Sequence, residues 1–134
     1  MTPRELDDNI SVTPQISLED VAQAASLGFK TIIANRPDGE EFGQVPMALI
    51  EAAAKEAGLA WIHQPVISGQ FNQQNVIDFA NHYANAEKPI LAFCRTGTRC
   101  SILWGLANPE QYDIDTVISK AQEAGYDLSG LRGR

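Results

Sequence analysis

Pro89-Ile90-Leu91-Ala92-Phe93-Cys94-Arg95-Thr96-Gly97-Thr98-Arg99 reads as an apolar strand that ends on a cysteine and passes through a glycine-bearing turn into a helix. The helix is announced by Ser101-Ile102-Leu103-Trp104-Gly105-Leu106 and is predicted over Cys100 to Ala107. Such a turn points successive backbone N–H groups at one centre, and the positive end of the helix dipole adds to them. An anion is stabilised there, and a thiolate is an anion. Free cysteine titrates near ~8.5, whereas a helix N-terminus or a neighbouring cation brings it below ~7.5, where the nucleophilic form prevails at neutral pH. Arg95 and Arg99 bracket the turn as cations, and Gly97 permits a tight backbone that a β-carbon would hinder. A cysteine in a strand is otherwise inert packing, but packing gives no reason for two arginines and a glycine within five residues of the thiol.

Outward from this turn, strands and helices alternate. A short strand at Asn9 to Thr13 precedes Ser17-Leu18-Glu19-Asp20, where a serine N-cap and an acid at the third helical position open a helix. That helix ends at Leu27-Gly28-Phe29, and the same ending recurs at Ala57-Gly58-Leu59 and Ala124-Gly125-Tyr126, with glycine as the left-handed cap. Thr31 to Asn35 and Leu59 to His63 are short apolar runs suited to a sheet covered on both faces. Helices at Pro46 to Ala57, Asn72 to Ala86 and Asp113 to Ala124 complete the alternation. It predicts one α/β domain over 1–134, in three layers, with a mostly parallel sheet of four to five strands flanked by helices. Open sheets of this kind bind ligands beyond the carboxyl ends of their strands, where Cys94 falls.

Composition narrows the function. Of 134 residues, 44% are hydrophobic and 20% charged, ordinary values for a globular domain that folds without staples. The formal charge of −7 argues against nucleic acid or an anionic membrane as partner. No apolar run approaches the ~20 residues that cross a bilayer, and the acidic start, Met1 to Asp8, lacks a secretory pattern. With Cys94 and Cys100 poorly spaced for a structural disulfide, a reducing cytoplasmic setting is expected. Two histidines, His63 and His82, do not make a multi-histidine metal centre, so no metal or cofactor is expected.

Cys94 to Arg99 resembles the active-site turn of rhodaneses, in which a nucleophilic cysteine and an arginine are separated by four residues in many single-domain members. Tyrosine and dual-specificity phosphatases use a turn one residue longer. The shorter turn is expected to shrink the pocket and to suit a terminal sulfur better than a phosphoryl group. The whole chain is similar to another family through Asn35-Arg36-Pro37-Asp38-Gly39-Glu40, His63-Gln64-Pro65-Val66, the Cys94 turn with Trp104, and Ala124-Gly125-Tyr126-Asp127-Leu128. Together these resemble the phosphatase-like domain of beta-lactamase-hydrolase-like proteins, over nearly all of residues 8–132. The resemblance implies a dual-specificity-phosphatase-like fold and, from bifunctional members, sulfur transfer coupled to a persulfide dioxygenase. The chain would be the transferase half standing alone. It has neither a Gly-His-Ile motif upstream of the loop nor a Gly-Gly-rich segment ending in Trp, so the body is not that of a rhodanese proper.

On this reading Cys94 is the nucleophile and Arg99 holds a small anionic sulfur donor such as thiosulfate, while Arg95, Thr96, Gly97, Thr98 and Arg36 contribute to binding. A Cys94 persulfide then passes its sulfur to a thiol acceptor. The alternative is a cysteine-dependent phosphatase, which asks for a general acid over the pocket. Val66 to Phe71 holds none, leaving Asp38 and Glu40 as the candidate acids, with a solvated turn or a salt bridge to Arg36 as their plainer role. A third reading is an anion-binding or redox-sensing module without turnover. Cys100 is expected as a small buried residue after the loop, with resolution of an oxidised Cys94 as its other role. His63 is expected in the core or rim, His82 on the surface, and Trp61 and Trp104 in the core or pocket wall.

Overall fold

The computed structural model describes residues 1–133. In chain order the elements are β1 (Arg4–Asp7), β2 (Ile10–Thr13), α1 (Leu18–Ser26), β3 (Thr31–Ala34), α2 (Met47–Glu56), β4 (Ala60–His63), α3 (Gln73–Asn85), β5 (Ile90–Phe93), α4 (Thr98–Ala107) and α5 (Ile114–Glu123), followed by a 3-10 turn at Ser129–Gly133. The five strands form one sheet in the order β1-β2-β5-β3-β4, with β1 antiparallel to β2 and the other pairs parallel. This is the expected three-layer α/β fold.

Side-chain alternation along β5 shows how the layers are made. Ile90 and Ala92 face a core shared with Phe79 of α3, Leu103 and Trp104 of α4, and Val117 of α5. Leu91 and Phe93 face the opposite core, with Val21 and Ala24 of α1 and Ile50 and Ala54 of α2. All four β5 residues are buried, which gives the strand its unbroken apolar run. At the carboxyl edge, Thr13, Phe93, Ala34 and His63 lie in register across β2, β5, β3 and β4. Asn35 and Gln64 extend that pairing, their N–H groups donating to the Phe93 and Ala34 carbonyls at 2.9 Å. Cys94, Arg36 and Gln64 therefore leave the sheet along one edge.

Local signals behave as their chemistry requires. Ser17 and Asp20 form a reciprocal capping box at α1, and Asn72 and Asn75 form another at α3. Three readings are corrected. The N-terminal stretch carries β1, whose Asp7 is buried and whose Oδ2 accepts from the Tyr83 hydroxyl (2.6 Å), Trp104 Nε1 (3.0 Å) and the Tyr112 hydroxyl (3.1 Å). The β4 run is an edge strand, with Ala60 and His63 exposed rather than covered on both faces. Finally, α4 begins two residues before Cys100, with Gly97 as its N-cap in the left-handed region at φ +97°.

Candidate active site

Cys94 directly follows the central strand, is fully buried, and sits beneath the turn into α4. The Gly97 N–H donates to its Sγ at 3.1 Å. The turn keeps that inward orientation because its carbonyls are held from outside. Gln15 N–H donates to the Arg95 carbonyl at 3.2 Å, and Ser101 donates to the Gly97 carbonyl through N–H (3.0 Å) and Oγ–H (2.9 Å). The Tyr126 hydroxyl donates to the Thr96 carbonyl at 2.9 Å.

The thiol is acidified to about 5. The largest cause is a hydrogen bond from the Cys100 thiol; burial opposes it, and the backbone N–H groups of Cys100, Gly97 and Thr96 add to it. Cys100 is fully buried, and its own thiol is pushed well above the ordinary value by burial and by the neighbouring thiolate. One proton is thus unevenly shared: Cys94 ionises and Cys100 remains a donor. Cys100 is the expected buried residue after the loop.

Arg99 comes from the first turn of α4 and is held on one edge. Its Nη1 donates to Glu40 Oε2 (2.7 Å) and the Val66 carbonyl (2.9 Å), and its Nη2 donates to Glu40 Oε1 (2.7 Å). Its Nε has no protein acceptor among the described residues, which leaves the other edge of the fork for an anion. Glu40 also accepts from Arg36 Nε at 2.9 Å. The Arg99 hydrogen bond, with that of Arg36, holds the Glu40 carboxyl below the ordinary carboxylate range against the effect of burial. Glu40 is therefore placed as an anionic brace between two guanidinium groups. Asp38 is placed elsewhere, its Oδ1 accepting the Met47 N–H at the start of α2 (2.8 Å).

Above the loop lies a cleft of about 770 Å³ lined by Arg36, Arg95, Thr96, Thr98 and Arg99, by Glu40 and Glu41, and by Ser68, Gly69, Phe71 and Ile102. Arg36, only 1% exposed, reaches it with Nη1 donating to Gln15 Oε1 at 2.9 Å and Nη2 lying 3.3 Å from Glu41. Arg95 is largely exposed and lies 3.7 Å from Glu41. His63 sits at the rim with Nε2 against the Arg36 carbonyl (2.9 Å), and buried Trp104 bonds Asp7. The structure thus gathers Cys94, Arg95, Thr96, Gly97, Thr98, Arg99, Arg36 and Glu40, and leaves Asp38 aside. Gln15, the Val66 carbonyl and Tyr126 belong to the site too; Val66 and Tyr126 lay in motifs singled out in the sequence, and Gln15 did not.

A family model for the phosphatase-like domain of beta-lactamase hydrolase-like proteins matches residues 3–110. The chain belongs to that family. This phosphatase-like domain is 29% identical over 126 residues to a beta-lactamase hydrolase-like protein of Xylella fastidiosa, covering 92% of this chain and 29% of the relative. It is 33% identical to the Agrobacterium fabrum counterpart over 75% of this chain and 23% of the relative, so it spans less than a third of those proteins. Among solved structures, a presumptive phosphatase of Neisseria meningitidis superposes with a TM-score of 0.87 at 42% identity, over 97% of this chain and 93% of the other. Pseudomonas aeruginosa TpbA shares the fold, with a TM-score of 0.69 at 17% identity over 94% and 76%. So does the catalytic core of the yeast PP-IP phosphatase SIW14, at 0.71 and 17% over 96% and 79%. Kinship and geometry together define a cysteine-based, phosphatase-like catalytic module.

Proposed function

We propose that this module transfers sulfane sulfur. The observation that carries the reading is the commitment of the carboxylates near the cleft. Glu40 is braced between Arg99 and Arg36, Glu41 lies beside Arg36 and Arg95, and Asp38 is bound to the start of α2. Hydrolysis of an alkyl phosphate needs a proton delivered to the departing oxygen, whereas sulfite leaves without one. The Cys94 thiolate attacks the outer sulfur of a donor such as thiosulfate. A bond forms between Sγ and that sulfur, the donor's S–S bond breaks, and sulfite departs with the bonding pair. An acceptor thiolate then attacks the outer sulfur of the Cys94 persulfide, leaves as a persulfide itself, and restores the Cys94 thiolate. The free edge of Arg99 and the loop N–H groups stabilise the anionic donor and the charge on sulfur. A persulfide-consuming oxygenase is the kind of partner this product would serve.

Phosphoryl transfer is the second reading, and the relatives support it more directly than sulfur transfer. The Neisseria protein is described as a presumptive phosphatase, TpbA has been seen with phosphotyrosine, and SIW14 is named for PP-IP hydrolysis. Intact-protein mass spectrometry after exposure to thiosulfate separates the two readings when run beside para-nitrophenyl phosphate turnover. A gain of one sulfur that requires Cys94, discharges to glutathione, and slows by about a hundredfold in Arg99→Ala supports the transferase. Cys94-dependent cleavage of the aryl phosphate without sulfur uptake establishes the phosphatase. Cys94 modification with neither turnover leaves a sensing module.

A further inference from the structure

The catalytic loop has three consecutive carbonyls held from outside, and only one of them is held by a residue distant in sequence that uses its side chain. Arg95 and Gly97 are held by the backbone of Gln15 and by Ser101 within α4. Thr96 is held by the phenol of Tyr126, 30 residues further along the chain. The Thr96 carbonyl and the Gly97 N–H belong to the same peptide unit. One side of this rigid plane accepts from Tyr126 at 2.9 Å, and the other donates to Cys94 Sγ at 3.1 Å.

That peptide needs a lock. Gly97 is at φ +97° and, having no side chain, adopts either sign of φ at little cost, so the plane preceding it is free to turn over. Turned over, it would aim a carbonyl oxygen at the thiolate. The same missing side chain admits the lock, because a Cβ on Gly97 would collide with the Tyr126 hydroxyl and ring. Tyr126 is itself fixed. It follows Gly125 at the end of α5, its N–H donates to the Ala121 carbonyl at 2.8 Å, and the Arg4 guanidinium lies 6.0 Å from its ring centre. Burial pushes its phenol pKa up, so the donor proton stays in place.

We infer that Tyr126 is a positioning residue for the Cys94 thiolate, locking the Thr96–Gly97 peptide with its N–H directed at sulfur. The hydrogen bond to the carbonyl also polarises the amide and strengthens its donation. The role concerns the nucleophile itself and holds for either transfer chemistry.

The test is the pH dependence of Cys94 alkylation by iodoacetamide from pH 4 to 9, with the label located by peptide mass spectrometry and the fold checked by thermal unfolding. Tyr126→Phe keeps the ring and removes the donor. Its thiol is expected to titrate about one unit higher, so alkylation at pH 5 slows about fivefold and converges with wild type above pH 8. Leu128→Ala loosens the same buried segment, removes no hydrogen bond to the loop, and is expected to leave the titration in place. Superimposable titrations for Tyr126→Phe and wild type overturn the inference. So does an equal shift in Leu128→Ala, which would make the effect one of general loosening. Absence of both transfer activities would refute the proposed function and leave this titration intact.

Discussion

At the scale of the residue, the pair Cys94 and Cys100 shows how much depends on one proton. Cys100 is in the first turn of α4, fully enclosed, and its thiol is the largest influence lowering the pKa of Cys94. A hydroxyl donates as well as a thiol does; a methyl does not donate. Cys100→Ser is therefore expected to keep the Cys94 thiol near 5, and Cys100→Ala to raise it by at least a unit, about the worth of one hydrogen bond to a charged group. Alkylation rate against pH measures both, and a Cys100→Ala titration identical to wild type would show that the backbone cradle acidifies the thiol alone. Were Cys100→Ser to abolish sulfur transfer while leaving that titration in place, a two-cysteine relay would replace the single-cysteine scheme.

At the scale of the element, the segment between β3 and α2 supplies a brace reaching across the cleft to α4. Glu40 is 59 residues from Arg99 and bonds it through both carboxylate oxygens. Glu40→Gln retains a single acceptor, so the guanidinium loses its fixed orientation while the cleft loses a negative charge. The expected outcome is a fall of about tenfold in kcat for thiosulfate with little rise in KM, because misplacement of a binding group is felt mainly in the transition state. A rise in kcat/KM would instead mark Glu40 as an anion competing with substrate.

The same elements show what was legible in the sequence. Capping at Ser17 and the strand-cysteine-glycine-arginine turn depend on neighbours within a few residues, so their spacing reveals them. The Glu40–Arg99 pair, the Gln15 support and the Tyr126 lock join distant stretches, and no local period encodes such contacts. Strand β1 escaped because Arg4-Glu5-Leu6-Asp7 places only Leu6 and a carboxylate in the interior. Its Asp7 becomes tolerable there only when Tyr83, Trp104 and Tyr112 converge on it.

At the scale of the whole molecule, the depressed thiol pKa links charge to stability. An acid whose folded pKa lies below its unfolded value contributes fully above the unfolded value and loses that contribution as pH falls to the folded one. For Cys94 the window runs from about 8.5 down to about 5. Within it, the stability of wild type relative to Cys94→Ser is expected to rise with pH by at most about 1.4 kcal/mol per unit. Urea unfolding of both proteins under reducing conditions at pH 5.5 and 8 measures the difference. A constant gap between them would mean that the thiol titrates alike in the folded and unfolded chains.

Because the cradle exists only when β5, α4 and the segment after α5 are assembled, the reactive anion belongs to the native state alone. At pH 6 the thiol of an unfolded chain is almost wholly protonated, while that of the folded chain is almost wholly ionised. A brief pulse of iodoacetamide at that pH is expected to label folded molecules faster than unfolded ones. The protein thus carries its own gauge of folding, read as the extent of labelling at one thiol.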